Sequence, residues 1–288
     1  MGLVALRWPS FSLARTLVVS MSPELGSETD PNSEVAISER LISVVIPMWN
    51  ELEMLPRTIE AMSKELDSLV EQGAVGNWEL LFVDDASTDG CGELADEYSA
   101  ADARIQVRHH VTNRKLGGSI RTGLAAASGD LILYTDADLP FDPAEIRQAI
   151  HLLDLYSADV VAAYRLQRKG EGPLRFFYSY IYNTLVNALL GLRIRDVNFA
   201  FKLARRWVID SVQLKSEGSF IDAELLARAR NEGAEIIQFG VDYFPRTRGV
   251  STLSSPAVIL KMLREMFSLG AELRRSTKNP ANPVNQVT

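Results

Sequence analysis

Short apolar runs alternate with longer stretches of helical period along the first part of the chain. Leu41 to Pro47 is almost wholly aliphatic and predicts a buried strand that Pro47 stops. Leu52, Leu55, Ile59, Met62, Leu66 and Leu69 follow at helical spacing, with Asn50 as the expected N-cap and Glu53 at the capping-box distance. Trp78 to Val83 predicts a second strand ending in Asp84-Asp85, then a helix through about Ala101 capped from Ser87, Thr88 or Asp89. Ile105 to Val111 predicts a third strand, Asn113 to Gly118 a polar turn, and a helix runs on to Ser128. Leu131 to Thr135 predicts a fourth strand, Pro143 to Leu155 a helix, and Asp159 to Tyr164 a fifth strand with Arg165 after it. Strands this continuously apolar, alternating with helices, indicate a mostly parallel sheet covered on both faces.

The second half reads differently. Leu174 to Leu190 is aromatic and aliphatic with few charges, and Val197 to Leu203 resembles a strand with Asp196 just before it. Ile221 to Asn231 predicts a helix, and Glu235 to Phe244 a strand that runs into a basic turn, Pro245 to Ser251. Pro256 opens a last helix whose apolar stripe holds Val258, Ile259, Met262, Leu263, Met266 and Phe267, with Lys261, Arg264 and Arg274 supplying positive charge. The organisation expected is a leader over 1–40, a catalytic-type α/β domain over 41–253, an amphipathic helix over 254–275 and a polar tail over 276–288. The Ser-, Pro- and acid-rich stretch Ser22 to Glu39 reads as disorder, downstream of a weakly apolar start that Arg7, Pro9 and Arg15 interrupt.

The chemistry concentrates where the fourth strand ends, in Asp136-Ala137-Asp138. Side chains two apart share a side of an extended chain, so the two carboxylates aim at one spot. Ligands of open α/β sheets bind beyond the carboxyl ends of strands. Hard oxygen ligands there suit Mg²⁺ or Mn²⁺ bridging a diphosphate; an acidic loop between strand and helix is the plainer alternative.

A formal charge of −7 argues against a general nucleic-acid binder. Cys91 is the single cysteine, which excludes an internal disulfide and fits a reducing compartment. His109, His110 and His151 show no metal-ligand spacing and are expected at the surface or in packing roles. No stretch reads as a clean transmembrane helix; Phe176 to Leu192 is interrupted by Ser179, Asn183 and Asn187. A P-loop is ruled out by the missing lysine motif, and a dinucleotide fold by a glycine-free first turn, Pro-Met-Trp-Asn-Glu.

Taken together, Val44-Val45-Ile46-Pro47-Met48-Trp49-Asn50-Glu51, Val83 to Gly90, Asp136-Ala137-Asp138-Leu139 and Arg246 to Ser251 occur in an order and spacing similar to family 2 glycosyltransferases of the GT-A fold. The dolichol-phosphate mannose synthase and polyprenyl-phosphate glycosyltransferase branch is the most similar, and the resemblance covers Leu41 to about Leu253. It implies that Pro47, Trp49 and Glu51 meet the base and ribose of a nucleotide sugar, with Val83 and Asp85 contacting the base. It implies that Asp136, Ala137 and Asp138 form the metal and diphosphate site, Asp138 being the more direct ligand of Mg²⁺ or Mn²⁺. Arg165, Arg246 and Ser251 match positions that hold diphosphate or acceptor phosphate, where a guanidinium fork pairs phosphate oxygens. Against these stand a capping role for Asp85 and a solvated basic turn for Arg246 and Arg248. Three departures are Trp49 in place of the usual Tyr, Pro140 where the family often has Gln, and Thr252 where a Lys is common.

The expected activity is inverting transfer of a hexose, of the GDP-mannose or UDP-glucose type, to a polyprenyl or dolichyl phosphate. A phosphate nucleophile is already ionised, whereas a sugar hydroxyl acceptor needs a carboxylate base. Asp196 is the family-like base, with Asp222 and Glu224 next; both of the latter are otherwise expected on an exposed first helical turn. A transferase acting on a glycan hydroxyl and a non-catalytic nucleotide-sugar binder are the rival readings. Peripheral contact at the inner face of the membrane, in the cytoplasm, is expected through Phe176 to Leu192 and the last helix; core packing or a homodimer contact is the alternative for each.

Overall fold

In the computed structural model the described residues are 39–167, 173–244, 264–266, 268–270 and 272–273, all within one compact unit, Val35–Thr288. The elements are β1 (Leu41–Met48), α1 (Leu55–Glu71), β2 (Asn77–Asp84), α2 (Cys91–Ala101), β3 (Ile105–His109), α3 (Lys115–Ala126) and β4 (Leu131–Thr135). They continue as α4 (Glu145–Leu155), β5 (Val160–Arg165), α5 (Pro173–Leu190), β6 (Phe201–Arg205), α6 (Arg206–Ser211), α7 (Ile221–Asn231) and β7 (Ile236–Val241). The strands form a seven-stranded sheet in the order β3-β2-β1-β4-β6-β5-β7. All neighbours pair in parallel except β6, which is antiparallel to both β4 and β5.

Alternate residues of the central strands serve opposite faces. Ile42, Val44 and Ile46 pack with Leu55, Met62, Leu66, Cys91 and Ile146, while Val45, Leu81 and Ile132 pack with Ile120 and Leu124. Burying each such aliphatic side chain contributes about 1.5–3 kcal/mol. The stripe of α1 is buried as its period predicts, except Leu52, which lies before the helix and is exposed. Gly123 lets α3 close onto the sheet, since a Cβ there would collide with Val45 Cγ1.

Several elements depart from expectation. The first helix starts at Leu55 without a side-chain cap, because Asn50 is engaged elsewhere. The third strand stops at His109, and Val111 is solvent-exposed. The sixth starts at Phe201 rather than Val197, because Asp196 to Ala200 turns: Phe199 N–H donates to Asp196 O and Phe201 N–H to Phe199 O. The short helix α6 has no sequence counterpart in the expectation.

The last helix is corrected in part. Met266 of the expected stripe, and Leu273 beyond it, are buried with Val186, Phe220 and Leu226, the core-packing alternative for these positions. The expected basic turn at 245–251, the start of that helix, the leader and the tail lie outside the described residues.

Asp222 and Glu224 are not on an exposed helical turn; both are buried. Glu224 accepts from Lys215 N–H (3.0 Å), Ser216 N–H (2.7 Å) and Arg228 Nε (2.8 Å), pinning the segment before α7. Asp222 pairs with Lys202 of β6, whose Nζ also donates to Phe199 O at 2.6 Å and lies over the Tyr134 ring. Burial pushes the Asp222 carboxyl above its ordinary range, and the Lys202 ammonium opposes that rise.

Replacing Asp222 by Asn leaves an ammonium buried without its counter-charge. Denaturant unfolding of Asp222→Asn is expected to show a loss of about 3–5 kcal/mol, largely recovered in Lys202→Met/Asp222→Leu. An Asp222→Asn protein as stable as the parent would remove this pair from the fold's energetics.

At the sheet edge, His109 sits between Asp84 (3.0 Å to Nδ1) and Asp96 (3.0 Å to Nε2). Partial burial lowers the His109 pKa, but the two carboxylates outweigh it and the net shift is upward. A histidine raised on folding stabilises the protein below its unfolded pKa of about 6.5, and that contribution is lost as pH rises through the folded value. Thermal unfolding of the parent and His109→Asn is therefore expected to differ most on the acid side and to converge as pH rises. A gap that widens above neutrality would contradict the assignment.

Candidate active site

The chain order along the sheet reverses at β1. From β1 it grows outward through β2 and β3, then restarts on the other side of β1 with β4. Loops leaving β1 and β4 therefore diverge to opposite sides and open a crevice at their carboxyl ends. Because β6 is antiparallel, its start lies at the same edge as the ends of β4 and β5, with Phe201 opposite Thr135. The edge thus gathers Pro47 to Glu51, Asp84-Asp85, Asp136 to Asp138, Arg165 and Asp196.

On one side of the crevice the β1 and β2 loops are tied together. Asn50, at φ 56°, accepts from Thr88 N–H (2.8 Å) while its own N–H donates to Ser87 Oγ (3.0 Å). Asp89 Oδ2 accepts from Leu52 N–H (2.9 Å) and Oδ1 from Cys91 N–H (3.1 Å). Burial pushes the Asp89 carboxyl up, but these hydrogen bonds prevail and hold it below its ordinary range. Trp49 is left 51% exposed beside the half-buried Pro47 and Glu51, an aromatic face without a cover of its own. Val83 is fully buried between β1 and β3 and against α3.

Asp85 is buried, and its Oδ1 accepts from Arg114 N–H (2.7 Å) and meets His110 Nδ1 at 2.7 Å. It does not cap α2; the N-cap position there is Gly90. His110 is itself buried, its Nε2 2.9 Å from Thr122 Oγ1, so it belongs to a polar chain behind Asp85 rather than to the surface or the apolar packing. No spacing in the sequence marks this role; His110 lies one residue past β3, the strand that pairs with β2. His109 likewise serves a carboxylate, and His151 is exposed.

Asp136 and Asp138 flank the buried Ala137 on a turn that Leu139 closes at φ 46°. Thr58 Oγ1 donates to Ala137 O at 2.5 Å and anchors this turn to α1. Both carboxylates are half-buried, as a ligand-facing pair requires. Among the described residues no cluster of three or more His, Cys, Asp or Glu could hold a metal ion. Two carboxylates still fit Mg²⁺ or Mn²⁺, because such ions are commonly held by one or two carboxylates plus substrate phosphates and water. Pro140 has a structural use: its carbonyl accepts from Phe244 N–H at 3.0 Å, which holds Phe244, past the end of β7, beside the Asp-Ala-Asp turn. Arg246 and Ser251, with the side chain of Arg175, lie outside the described residues.

Arg165 and Asp196, expected as separate site residues, are brought together. Nε donates to Oδ2 at 2.7 Å and Nη2 to Oδ1 at 3.0 Å, a two-pronged pair with side chains 10% and 3% exposed. The guanidinium also lies over the rings of Tyr243 (5.2 Å) and Phe199 (5.8 Å).

Comparison with known proteins agrees with this geometry. The family model "Glycosyl transferase family 2" matches residues 43–212. Glycosyltransferase AglD of Haloferax volcanii is 27% identical over 240 residues, spanning 82% of this chain and 36% of that protein. Polyprenol monophosphomannose synthase of Mycolicibacterium smegmatis is 29% identical over 242 residues, 80% of this chain and 87% of that one. An undecaprenyl-phosphate 4-deoxy-4-formamido-L-arabinose transferase of Salmonella choleraesuis is 33% identical over 196 residues, 66% of this chain and 58% of the transferase. The chain thus spans under two thirds of two of these three relatives. Among solved structures, glucosyl-3-phosphoglycerate synthase from Mycobacterium tuberculosis in complex with Mn²⁺, UDP-glucose and phosphoglyceric acid superposes with a TM-score of 0.61 at 22% identity, covering 82% of each chain. The match to the family model over more than half the chain, together with this fold, shows that the chain belongs to glycosyl transferase family 2 and carries its GT-A fold.

Proposed function

We propose that the protein transfers a hexosyl group from a nucleotide sugar to a polyprenyl or dolichyl phosphate, with inversion at the sugar carbon. The observation that carries the acceptor assignment is the Arg165–Asp196 pair. Both carboxylate oxygens of Asp196, the family-like base, accept from one guanidinium. A base must reach the hydroxyl it deprotonates within hydrogen-bond distance, and both Asp196 oxygens are already engaged by the Arg165 guanidinium, which disfavours a hydroxyl nucleophile. An acceptor phosphate is already ionised and needs positive charge around it instead of a base. The polyprenol monophosphomannose synthase and undecaprenyl-phosphate transferase relatives support the same choice.

In this reading Trp49, Pro47 and Glu51 hold the base and ribose, and the clasp between Asn50 and Ser87-Thr88 keeps that wall in place. Asp136 and Asp138 would hold Mg²⁺ or Mn²⁺, which when bound offsets charge on the diphosphate leaving group. Arg165 is held by Asp196, and Arg246 would supply a second guanidinium for phosphate oxygens. An oxygen of the acceptor phosphate forms the new bond to the sugar carbon as the bond to the diphosphate oxygen breaks, the electron pair leaving with the nucleoside diphosphate.

A lipid acceptor calls for contact with a membrane surface. No helix among the described residues is long and apolar enough to cross one. The helix α5 exposes Tyr180, Ile181 and Leu185 on one side, and Phe176 to Leu190 contains no charged residue. This supports peripheral attachment at the cytoplasmic face through α5 rather than through the last helix.

Two measurements test the reading. Asp138→Asn is expected to lower transfer about a hundredfold or more with an unchanged circular-dichroism spectrum; a folded variant with normal turnover would sink the metal assignment. For the acceptor, Arg246→Gln is expected to fall about ten- to a hundredfold. Asp196→Asn should retain measurable transfer on the same donor. A dead Asp196→Asn beside a near-normal Arg246→Gln would establish a hydroxyl acceptor instead.

A further inference from the structure

We propose that the site takes a uracil nucleotide in preference to a guanine nucleotide, because the fold leaves Asp85 a single oxygen with which to read a base. The inference rests on the nucleotide-sugar reading above, together with the base contact that the family resemblance implies for Asp85, and narrows that reading to a donor class.

Asp85 is an acceptor only when ionised, and each carboxylate oxygen offers about two lone-pair sites. On Oδ1 both are filled from within the protein. Arg114 N–H donates at 2.7 Å, and His110 Nδ1 stands at 2.7 Å. Because a carboxylate cannot donate, His110 carries a proton on Nδ1, and its Nε2 stands 2.9 Å from Thr122 Oγ1. Arg114 Nη1 reaches Thr122 Oγ1 in turn, at 3.5 Å. No described residue donates to Oδ2.

The carboxylate cannot turn to offer both oxygens. His110 and Asp85 side chains are 7% and 6% exposed, so rotation would strand buried donors. The backbone is fixed as well: Asp85 N–H donates to Met48 O at 3.0 Å, and Asn113 Nδ2 to Asp85 O at 3.1 Å. His110 is thus a positioning residue that never touches the base.

The two bases differ in what they ask of a carboxylate. Guanine presents a ring N–H and an exocyclic amine side by side, a donor pair that is best met by two carboxylate oxygens. Uracil presents one ring N–H between two carbonyls, and one oxygen satisfies it. A site with one available oxygen therefore pairs uracil fully and leaves guanine one hydrogen bond short. A missing partner of this kind discriminates strongly in a buried site.

The test is calorimetric titration of the full chain with UDP and with GDP in the presence of Mn²⁺. UDP is expected to bind about tenfold or more tightly than GDP. His110→Leu vacates one site on Oδ1 and is expected to narrow that ratio, while His110→Asn, whose amide still donates to Oδ1, preserves it. Thermal unfolding of both variants separates this effect from a general loss of structure, which would weaken both nucleotides alike. GDP binding as tightly as UDP to the parent overturns the proposal. So does a ratio unchanged in a folded His110→Leu, and should that variant not fold, the parent's ratio still decides. Asp85→Asn tests the underlying reading separately: if it binds UDP as the parent does, Asp85 does not face the base.

Discussion

The structure depends on one topological constraint, the reversal of strand order at β1. A sheet extended in one direction from β1 and then restarted on its other side must send the β1 and β4 loops apart. The crevice this leaves is a consequence of connectivity and needs no special residue to form. What the sequence adds is a set of ties that keep the crevice walls in register. Asn50 binds the first loop to the second, Thr58 binds the Asp-Ala-Asp turn to α1, and the Phe244–Pro140 hydrogen bond returns the chain from β7 to that turn.

The antiparallel insertion of β6 has a further consequence. It brings the turn Asp196 to Ala200 to the functional edge and places Lys202 in the middle of the sheet, opposite Tyr134 and Ala162. A charge there must be matched, and Asp222 at the start of α7 matches it. Replacing such pairs by apolar residues is often neutral or stabilising, so the pair is not there for stability alone. Its geometric effect is to fix α7, and through Glu224 the segment before it, against the strand that carries Asp196 into the site.

Much of the fold was legible because its signals are local. The apolar runs of β1, β2 and β4 and the stripe of α1 follow from periodicity, and the paired acids at strand ends mark the functional edge. What was not legible depends on partners far away in the chain. Asn50 looked like a helix cap because capping is a local use of Asn, yet Ser87 and Thr88 claim it. Asp222 and Glu224 looked exposed because acids suit a first helical turn, and only the buried Lys202 and the N–H groups of Lys215 and Ser216 explain their burial. His110 carried no spacing signal, because its meaning comes from pairing β3 beside β2. The antiparallel sense of β6 was hidden for the same reason: an apolar strand reads alike in both directions.

These cases share a rule about what a carboxylate can do once the fold has claimed its lone pairs. Glu224, which accepts from Lys215 N–H, Ser216 N–H and Arg228, is an anchor and is closed to ligands by burial. Asp196 engages one guanidinium with both oxygens, so in the proposed function it is the partner that holds Arg165. Asp85 has one oxygen committed and can still accept, but only with the other. Asp136 and Asp138 sit half-buried at the rim, where oxygen ligands for a hard cation belong. Five acids that are interchangeable candidates by residue type thus differ in what the fold leaves them: Glu224 is an anchor, Asp196 is tied to Arg165, Asp85 has one oxygen committed, and Asp136 and Asp138 are the pair proposed to hold a metal.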